Sequence, residues 1–148
     1  MKVFFCLPAY NEEAAIGDLL LEIRKLSDNH PVEYHVVVVN DGSTDRTSSI
    51  VREYEEQISI DLVEHLQNAG LGQALLSGFK YINQLADDDD VMVCMDADNT
   101  HKPEIVPAML QKIQQGSDVV VASRYLPESK VLGVPWYRLI FSEGARML

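Results

Sequence analysis

The chain has 148 residues, enough for one domain with its own core and too few for two comfortable ones. Its composition is that of a globular protein; no apolar run approaches the roughly 18–20 residues of a membrane helix, and MKVFFCLPAYNEE is too short in its apolar part, and too soon acidic, for a secretory signal. A net charge of −11 argues against unspecific nucleic-acid binding, which depends on Lys and Arg against phosphates, but not against one nucleotide, for which a divalent cation can supply positive charge locally.

Residues 2–7 (KVFFCL) read as a short buried strand. Asn11 then stands as a helix cap, with Glu12 and Glu13 in the first turn, where the helix dipole favours negative charge. Ile16, Leu19, Leu20, Ile23 and Leu26 repeat at helical spacing. Residues 34–39 (YHVVVV) form a β-branched run of the kind found in strands covered on both faces. NDGST follows as a turn, with Thr44 placed to cap a helix carrying Ile50, Val51, Tyr54 and Ile58. A third strand fits residues 59–63. NAGLG opens a helix with Leu71, Leu75, Phe79, Ile82 and Leu85 along it. DDDD at 87–90 reads as a solvated loop, and residues 91–95 as the fourth strand. Pro103 sits at the first turn of another helix with Glu104 beside it, followed by Ile105, Met109, Leu110 and Ile113. DVVVA at 118–122 predicts a fifth strand, and WYRLIFSEGARML the start of a further helix. Cys6 and Cys94 fall in predicted buried strands and are expected to be reduced core thiols, which points to a cytoplasmic setting.

Alternating strands and helices predict a doubly wound α/β sheet with parallel connections. In such sheets ligands bind beyond the carboxyl ends of the strands. The loops PAYNE, NDGST, DADNTH and ASRY all follow strands, so four chemically loaded segments share one edge.

Asp96 and Asp98 in MDADNT are separated by one residue. Along an extended backbone such residues point the same way. Two carboxylates there can hold a hard divalent cation and leave positions for diphosphate oxygens. The same pair also reads as an Asx-type turn that ends a strand. Asp41 is either a turn residue or an acceptor for a ring N–H of a base, since an ionised carboxylate only accepts. Gly42 would let the backbone approach closely. Pro8 stiffens the strand exit and Tyr10 offers a flat wall; PAYNEE alone leaves open whether Tyr10 and Glu12 meet a ligand. His65 and His101 read as hydrogen-bonded surface or supporting histidines rather than metal ligands.

Taken in order, PAYNE, VNDGSTDRT, NAGLGQAL, MDADNTHKPE and ASRY resemble the family 2 inverting glycosyltransferases, and most of all the polyprenol-phosphate (dolichol-phosphate) mannosyl- and glucosyltransferase branch. The resemblance runs over almost the whole chain. It implies a Rossmann-like GT-A fold, a nucleotide-sugar donor (GDP- or UDP-sugar) and a polyprenol phosphate or saccharide acceptor. It implies that Pro8, Tyr10, Glu12 and Asp41 hold the nucleoside. It implies that Asp96 and Asp98 bind Mg2+ or Mn2+ at the donor diphosphate. Arg124 and Arg138 match basic positions that meet phosphates of donor or acceptor. Two positions depart from the pattern: Asn40 replaces an acid, and Thr100 stands where a Gln is frequent. The chain also stops short of the family's usual catalytic domain, so residues 1–148 are expected to be a C-terminally truncated catalytic domain that lacks its acceptor side. In the full-length protein the resemblance implies a peripheral place at the cytoplasmic face of a membrane. A nucleotidyltransferase would want a glycine-rich basic loop where PAYNEE stands. A nucleotide-sugar-binding module without turnover is the rival outside catalysis. The apolar WYRLIF at 136–141 is expected to join two copies of the chain through residues 130–148.

Overall fold

A computed structural model describes residues 1–123 of the chain. The chain divides after Pro107, and the sheet, its loops and the site all belong to residues 1–107. Among the described residues four strands make the sheet: β1 (Lys2–Ala9), β2 (Glu33–Asn40), β3 (Ile60–Glu64) and β4 (Val91–Cys94). Their order is β3-β2-β1-β4 and every pairing is parallel. Parallel neighbours need crossovers, supplied here by α1 (Ile16–Asn29), α2 (Thr47–Arg52) and α3 (Leu71–Ile82). A short 3-10 helix, Pro103–Ile105, leads into α4 (Val106–Gln114). The expected α/β architecture is present, and among the described residues no helix is long and apolar enough to cross a membrane.

The two central strands are apolar almost throughout because both of their faces are covered. Phe4 and Cys6 of β1 share one face with Val37 and Val39 of β2, packed against Ala74 and Ile82 of α3. Val3, Phe5, Leu7, Val36 and Val38 alternate to the other face and are equally buried. The five apolar residues predicted to line α1, from Ile16 to Leu26, are its buried stripe.

Several expectations are corrected. The first helix starts at Ile16, not after Asn11, which adopts φ 56°. Thr44 does not cap α2, which begins at Thr47 and ends at Arg52. Both side chains bond across loops instead, Thr44 Oγ1 donating to Asn11 Oδ1 at 3.4 Å. Asp90 is more than a solvated acid: its carboxylate accepts from the backbone N–H of Lys2 at 2.6 Å and of Asp87 at 3.0 Å. Cys94 is exposed rather than buried. It pairs in register with Cys6 across β1 and β4, and β4 is an edge strand among the described residues. A hydrogen bond from Cys6 lowers the Cys94 thiol below its usual range.

Residues 118–122 do not form a strand. Val119 and Val121 are 78% and 75% exposed. A β-branched run has strand propensity, but its N–H and C=O groups need a neighbouring ladder, and this segment pairs with no strand among the described residues. The further helix from residue 136, Arg124, Arg138 and the surface expected to join two copies lie outside the described residues.

The buried side of α3 also differs from expectation. Ile82 is buried and Leu75 packs partly buried against the core, as expected, but Leu71, Phe79 and Leu85 are exposed, while Ala74 and Gly78 turn inward. Small residues let the helix axis approach the sheet. A Cβ on Gly78 would lie 2.4 Å from Cys6 Sγ and 3.2 Å from Val39 Cγ2. Gly78→Ala is therefore expected to destabilise the chain by about 1–3 kcal/mol, the usual cost of overpacking, despite its better helix propensity. Cys6→Ala removes the sulfur in the way, so the double variant should recover part of that loss. Urea unfolding of the four proteins checks this. Additive losses would show that Gly78 and Cys6 do not compete for one space.

Candidate active site

Because all four strands run parallel, the loops after β1, β2, β3 and β4 emerge on one edge. The first two are clamped together by side chains bonding to the opposite backbone. Asn11 Oδ1 accepts from the backbone N–H of Thr44, and the backbone N–H of Asn11 donates to Ser43 Oγ, both at 2.9 Å. The N–H of Glu12 donates to Thr47 Oγ1 at 2.9 Å and that of Glu13 to Asp45 Oδ2 at 3.0 Å. Glu13 returns the contact by accepting from the N–H of Arg46 at 3.1 Å. Burial alone would raise the Asp45 carboxyl, but the hydrogen bonds from Thr47 and Glu13 outweigh it and hold it below its ordinary range.

Asn40, the residue in place of an acid, is buried and uses both ends of its amide. Its Oδ1 accepts from the N–H of Ser43 at 3.1 Å and its Nδ2 donates to Ser48 Oγ at 2.6 Å. Ser48 in turn donates to Glu64 at 2.7 Å. A carboxylate at position 40 could not donate to Ser48.

The clamped loops form one wall of a cleft of about 320 Å³. Pro8, Tyr10, Glu12 and Asp41 line it, together with Asp96 and Asp98 from the loop after β4. All six sequence-predicted residues among those described therefore meet in one place. Asn68, Leu71 and Ala74 join them from the β3–α3 connection and α3. Sequence reasoning had not assigned these three to the site; the NAGLG turn before a helix was the only local signal. Tyr10 is exposed, leaving its ring open to a ligand.

Asp41 is 3% exposed. Its Oδ1 meets His65 Nδ1 at 2.6 Å and accepts from the N–H of Ala69 at 2.9 Å, and its Oδ2 accepts from the N–H of Gly70 at 2.8 Å. Burial pushes this carboxyl up, but the hydrogen bonds from Ala69, His65 and Gly70 more than compensate and hold it below its ordinary range. Asp41 is thus a turn-holding residue and also a lining residue.

Asp96 and Asp98 are both exposed, flanking buried Ala97. Asp98 Oδ1 accepts from the N–H and the hydroxyl of Thr100, at 3.0 and 2.7 Å. That is the Asx-type turn, and it fixes the carboxylate while Oδ2 makes no bond within the turn. Thr100 thereby orients Asp98. Lys102 ties the same loop to Glu22 of α1 at 2.8 Å. His101 is exposed beside Thr100, as expected. The Glu12 carboxyl is raised by burial and by the nearby charges of Asp98, Asp45 and Asp96, so negative charge is concentrated on this side of the cleft.

Whether a divalent cation suits these residues follows from the donors present. They are hard carboxylate oxygens on an open wall, and among the described residues no three His, Cys, Asp or Glu side chains close a cage. Mg2+ and similar ions are held in this way where one or two carboxylates leave positions for water and substrate phosphates. The residues fit.

The parallel α/β sheet, with Tyr10, Asp41, Asp96 and Asp98 gathered at its carboxyl edge, has the GT-A fold. The chain belongs to Glycosyl transferase family 2, whose sequence profile matches residues 4–147. It is 35% identical over 148 residues to dolichol-phosphate mannosyltransferase of Pyrococcus furiosus, covering 100% of this chain and 40% of that protein. The chain thus spans less than half the length of that relative. Among solved structures, TarS residues 1–349 of S. aureus in complex with UDP-GlcNAc superposes with TM-score 0.66 at 24% identity, over 86% of this chain and 39% of that one. Glucosyl-3-phosphoglycerate synthase of Mycobacterium tuberculosis in complex with Mn2+, UDP and glucosyl-3-phosphoglycerate gives TM-score 0.57 at 24% identity, over 76% and 39%.

Proposed function

We propose that this chain carries the donor side of an inverting glycosyltransferase that moves a sugar from a GDP- or UDP-sugar to a polyprenol phosphate. The observation that carries the reading is the convergence of Tyr10 and Asp41 with Asp96 and Asp98 in one cleft. In it, Pro8 and Tyr10 flank the nucleoside and Asp41 accepts from a ring N–H of its base. Asp96 and Asp98 would hold Mg2+ or Mn2+, which when bound neutralises the leaving diphosphate as a Lewis acid. Arg124 and Arg138 are proposed to orient phosphate oxygens of donor or acceptor. A lipid phosphate is already an anion at neutral pH, so attack on the anomeric carbon needs no general base. The dolichol-phosphate relative supports that acceptor, which would set the reaction at the cytoplasmic face of a membrane. The Mn2+ and UDP of the synthase complex support the cation and a nucleoside diphosphate.

The test is thermal unfolding with GDP and UDP, in Mn2+ or in chelator. A ligand at 100 times its dissociation constant adds about 2.7 kcal/mol. The preferred nucleotide should reach that in Mn2+ and fall well short of it in chelator. Asp98→Asn should remove the manganese-dependent part while leaving the fold intact, because an amide oxygen can still accept from Thr100. Equal stabilisation with and without Mn2+ would sink the cation assignment. Binding of a donor sugar without transfer to a polyprenol phosphate would reduce the reading to a nucleotide-sugar-binding module.

A further inference from the structure

We propose that His65 is a positioning residue for nucleobase recognition, holding Asp41 in the orientation that presents its last free acceptor site to the cleft. The inference rests on the reading of Asp41 as the base contact. It adds a residue that does not line the cleft and that the site's motifs do not contain.

The geometry is a continuous chain of bonds. His65 Nδ1 lies 2.6 Å from Asp41 Oδ1, and His65 Nε2 lies 2.9 Å from Ser77 Oγ on α3. The backbone N–H of His65 donates to the carbonyl of Asn40, next to Asp41, at 2.9 Å. An ionised carboxylate can only accept, so Nδ1 carries the proton; in the neutral ring Nε2 then accepts from the Ser77 hydroxyl. The ring is held at both ends and its side chain is 16% exposed.

Counting acceptor sites shows what this achieves. A carboxylate offers about four. His65 and the N–H of Ala69 take both on Oδ1, and the N–H of Gly70 takes one on Oδ2. Among the described residues no other donor reaches Asp41, so one site on Oδ2 is left. Ala69 and Gly70 both lie in the connection before α3, where Gly70 has φ 89°. His65 is the only side chain among the three donors, and it ties the carboxylate to the end of β3 and to the middle of α3. Without it only the backbone N–H groups of Ala69 and Gly70, both from one short connection, would hold the carboxylate. The order Asp41, His65, Ser77 is also that of a hydrolase relay, but Ser77 does not line the cleft, so the bonds act as a brace.

Two near-isosteric substitutions separate the ends of the ring. In His65→Asn the amide nitrogen falls where Nδ1 was, and it can still donate to Asp41. In His65→Gln the amide reaches toward Ser77 and passes Asp41 by. The readout is the loss of affinity when the base ring N–H is methylated: 1-methyl-GDP against GDP and 3-methyl-UDP against UDP, in Mn2+, by calorimetry. For the tighter-binding nucleotide, methylation should weaken binding to the unmutated chain by about tenfold or more, as for a hydrogen bond to a charged group. His65→Asn should keep that penalty. His65→Gln should shrink it to about threefold or less, since the contact to the ring N–H is then poorly aimed. Melting temperatures of the two variants give a control: a purely structural role would lower both penalties in step with stability.

A full methylation penalty in His65→Gln, or equal loss of it in both variants, would overturn the assignment of His65 alone. No methylation penalty in the unmutated chain, or no binding of either nucleotide, would overturn the base reading of Asp41 and this inference with it. If His65→Gln does not fold, Ser77→Ala tests the brace from its far end. A reduced penalty there supports it, and an unchanged one overturns it.

Discussion

Gly42→Ala is expected to lower the stability of the chain by about 3 kcal/mol or more, through two separate costs. Gly42 has φ 70°, a left-handed conformation that a side chain disfavours by about 1–2 kcal/mol. A Cβ there would also stand 2.4 Å from the carbonyl carbon of Gln67, 2.6 Å from the nitrogen of Asn68 and 2.7 Å from the Cα of Gln67. All three are backbone atoms, so no side chain can rotate away. The displaced segment carries Asn68 into the cleft and Ala69 onto Asp41, and nucleotide binding should fail along with stability. Two nearby glycines separate the costs. Gly70 has φ 89° and ψ 159°, a backbone region nearly confined to glycine, but nothing within 4 Å of an added Cβ, so Gly70→Ala should show the conformational cost alone, about 1–3 kcal/mol. Gly72 lies in α3 with the same open space and no positive φ, and Gly72→Ala should gain up to about 1 kcal/mol of helix propensity. Melting temperatures should rank Gly72→Ala above the unmutated chain, then Gly70→Ala, then Gly42→Ala. For a chain of this size each kcal/mol moves the midpoint by roughly 2–4 °C, so the ranking is measurable. Gly42→Ala melting no lower than Gly70→Ala would show that the loops are not in close contact.

Much of this site could be read from the sequence because parallel strands send their following loops to one edge. Once YHVVVV is read as a strand covered on both faces, the place of NDGST follows without knowledge of any side-chain contact. The errors share a cause. Asn11 and Thr44 have the side chains of helix caps, but a cap and a clamp between loops use the same short polar groups. Only the partner distinguishes them, and here the partner is 33 residues away. On α3, hydrophobicity pointed to Leu71 and Phe79. Close approach to the sheet instead selected Ala74 and Gly78, whose value lies in what they lack. The DVVVA run shows the limit of propensity, since a strand is stable only beside another. His65 reads from the sequence only as a hydrogen-bonded or supporting histidine without a partner, because Asp41 lies 24 residues earlier and the bond exists only when β2 and β3 are paired.

The same burial that makes Asp41 a precise acceptor makes its loss expensive. Asp41→Ala would leave His65 Nδ1–H and the N–H groups of Ala69 and Gly70 without their acceptor. Each unsatisfied buried donor costs about 1–3 kcal/mol. His65 and Gly70 are only partly buried and Ala69 is exposed, so water can satisfy part of the loss, and a total of about 1–3 kcal/mol is expected. Affinity for the preferred nucleotide should fall by roughly 1.5–3 kcal/mol more, with a smaller difference between GDP and UDP. The dependence on pH identifies the source. The folded Asp41 carboxyl lies below its ordinary value of 3.8, so its contribution is fully present above about pH 4–5 and is lost as pH falls through the lower, folded value. Asp45 and Glu64 are lowered too, but both proteins contain them and they cancel in the difference. Glu12 is shifted the other way and cancels likewise. Urea unfolding of the two proteins should therefore show a constant gap from about pH 7 to about pH 5 that narrows toward pH 3. A gap that stays the same in acid would mean that the alanine acts by opening a void, and that the charged carboxylate holds neither the loop nor a base.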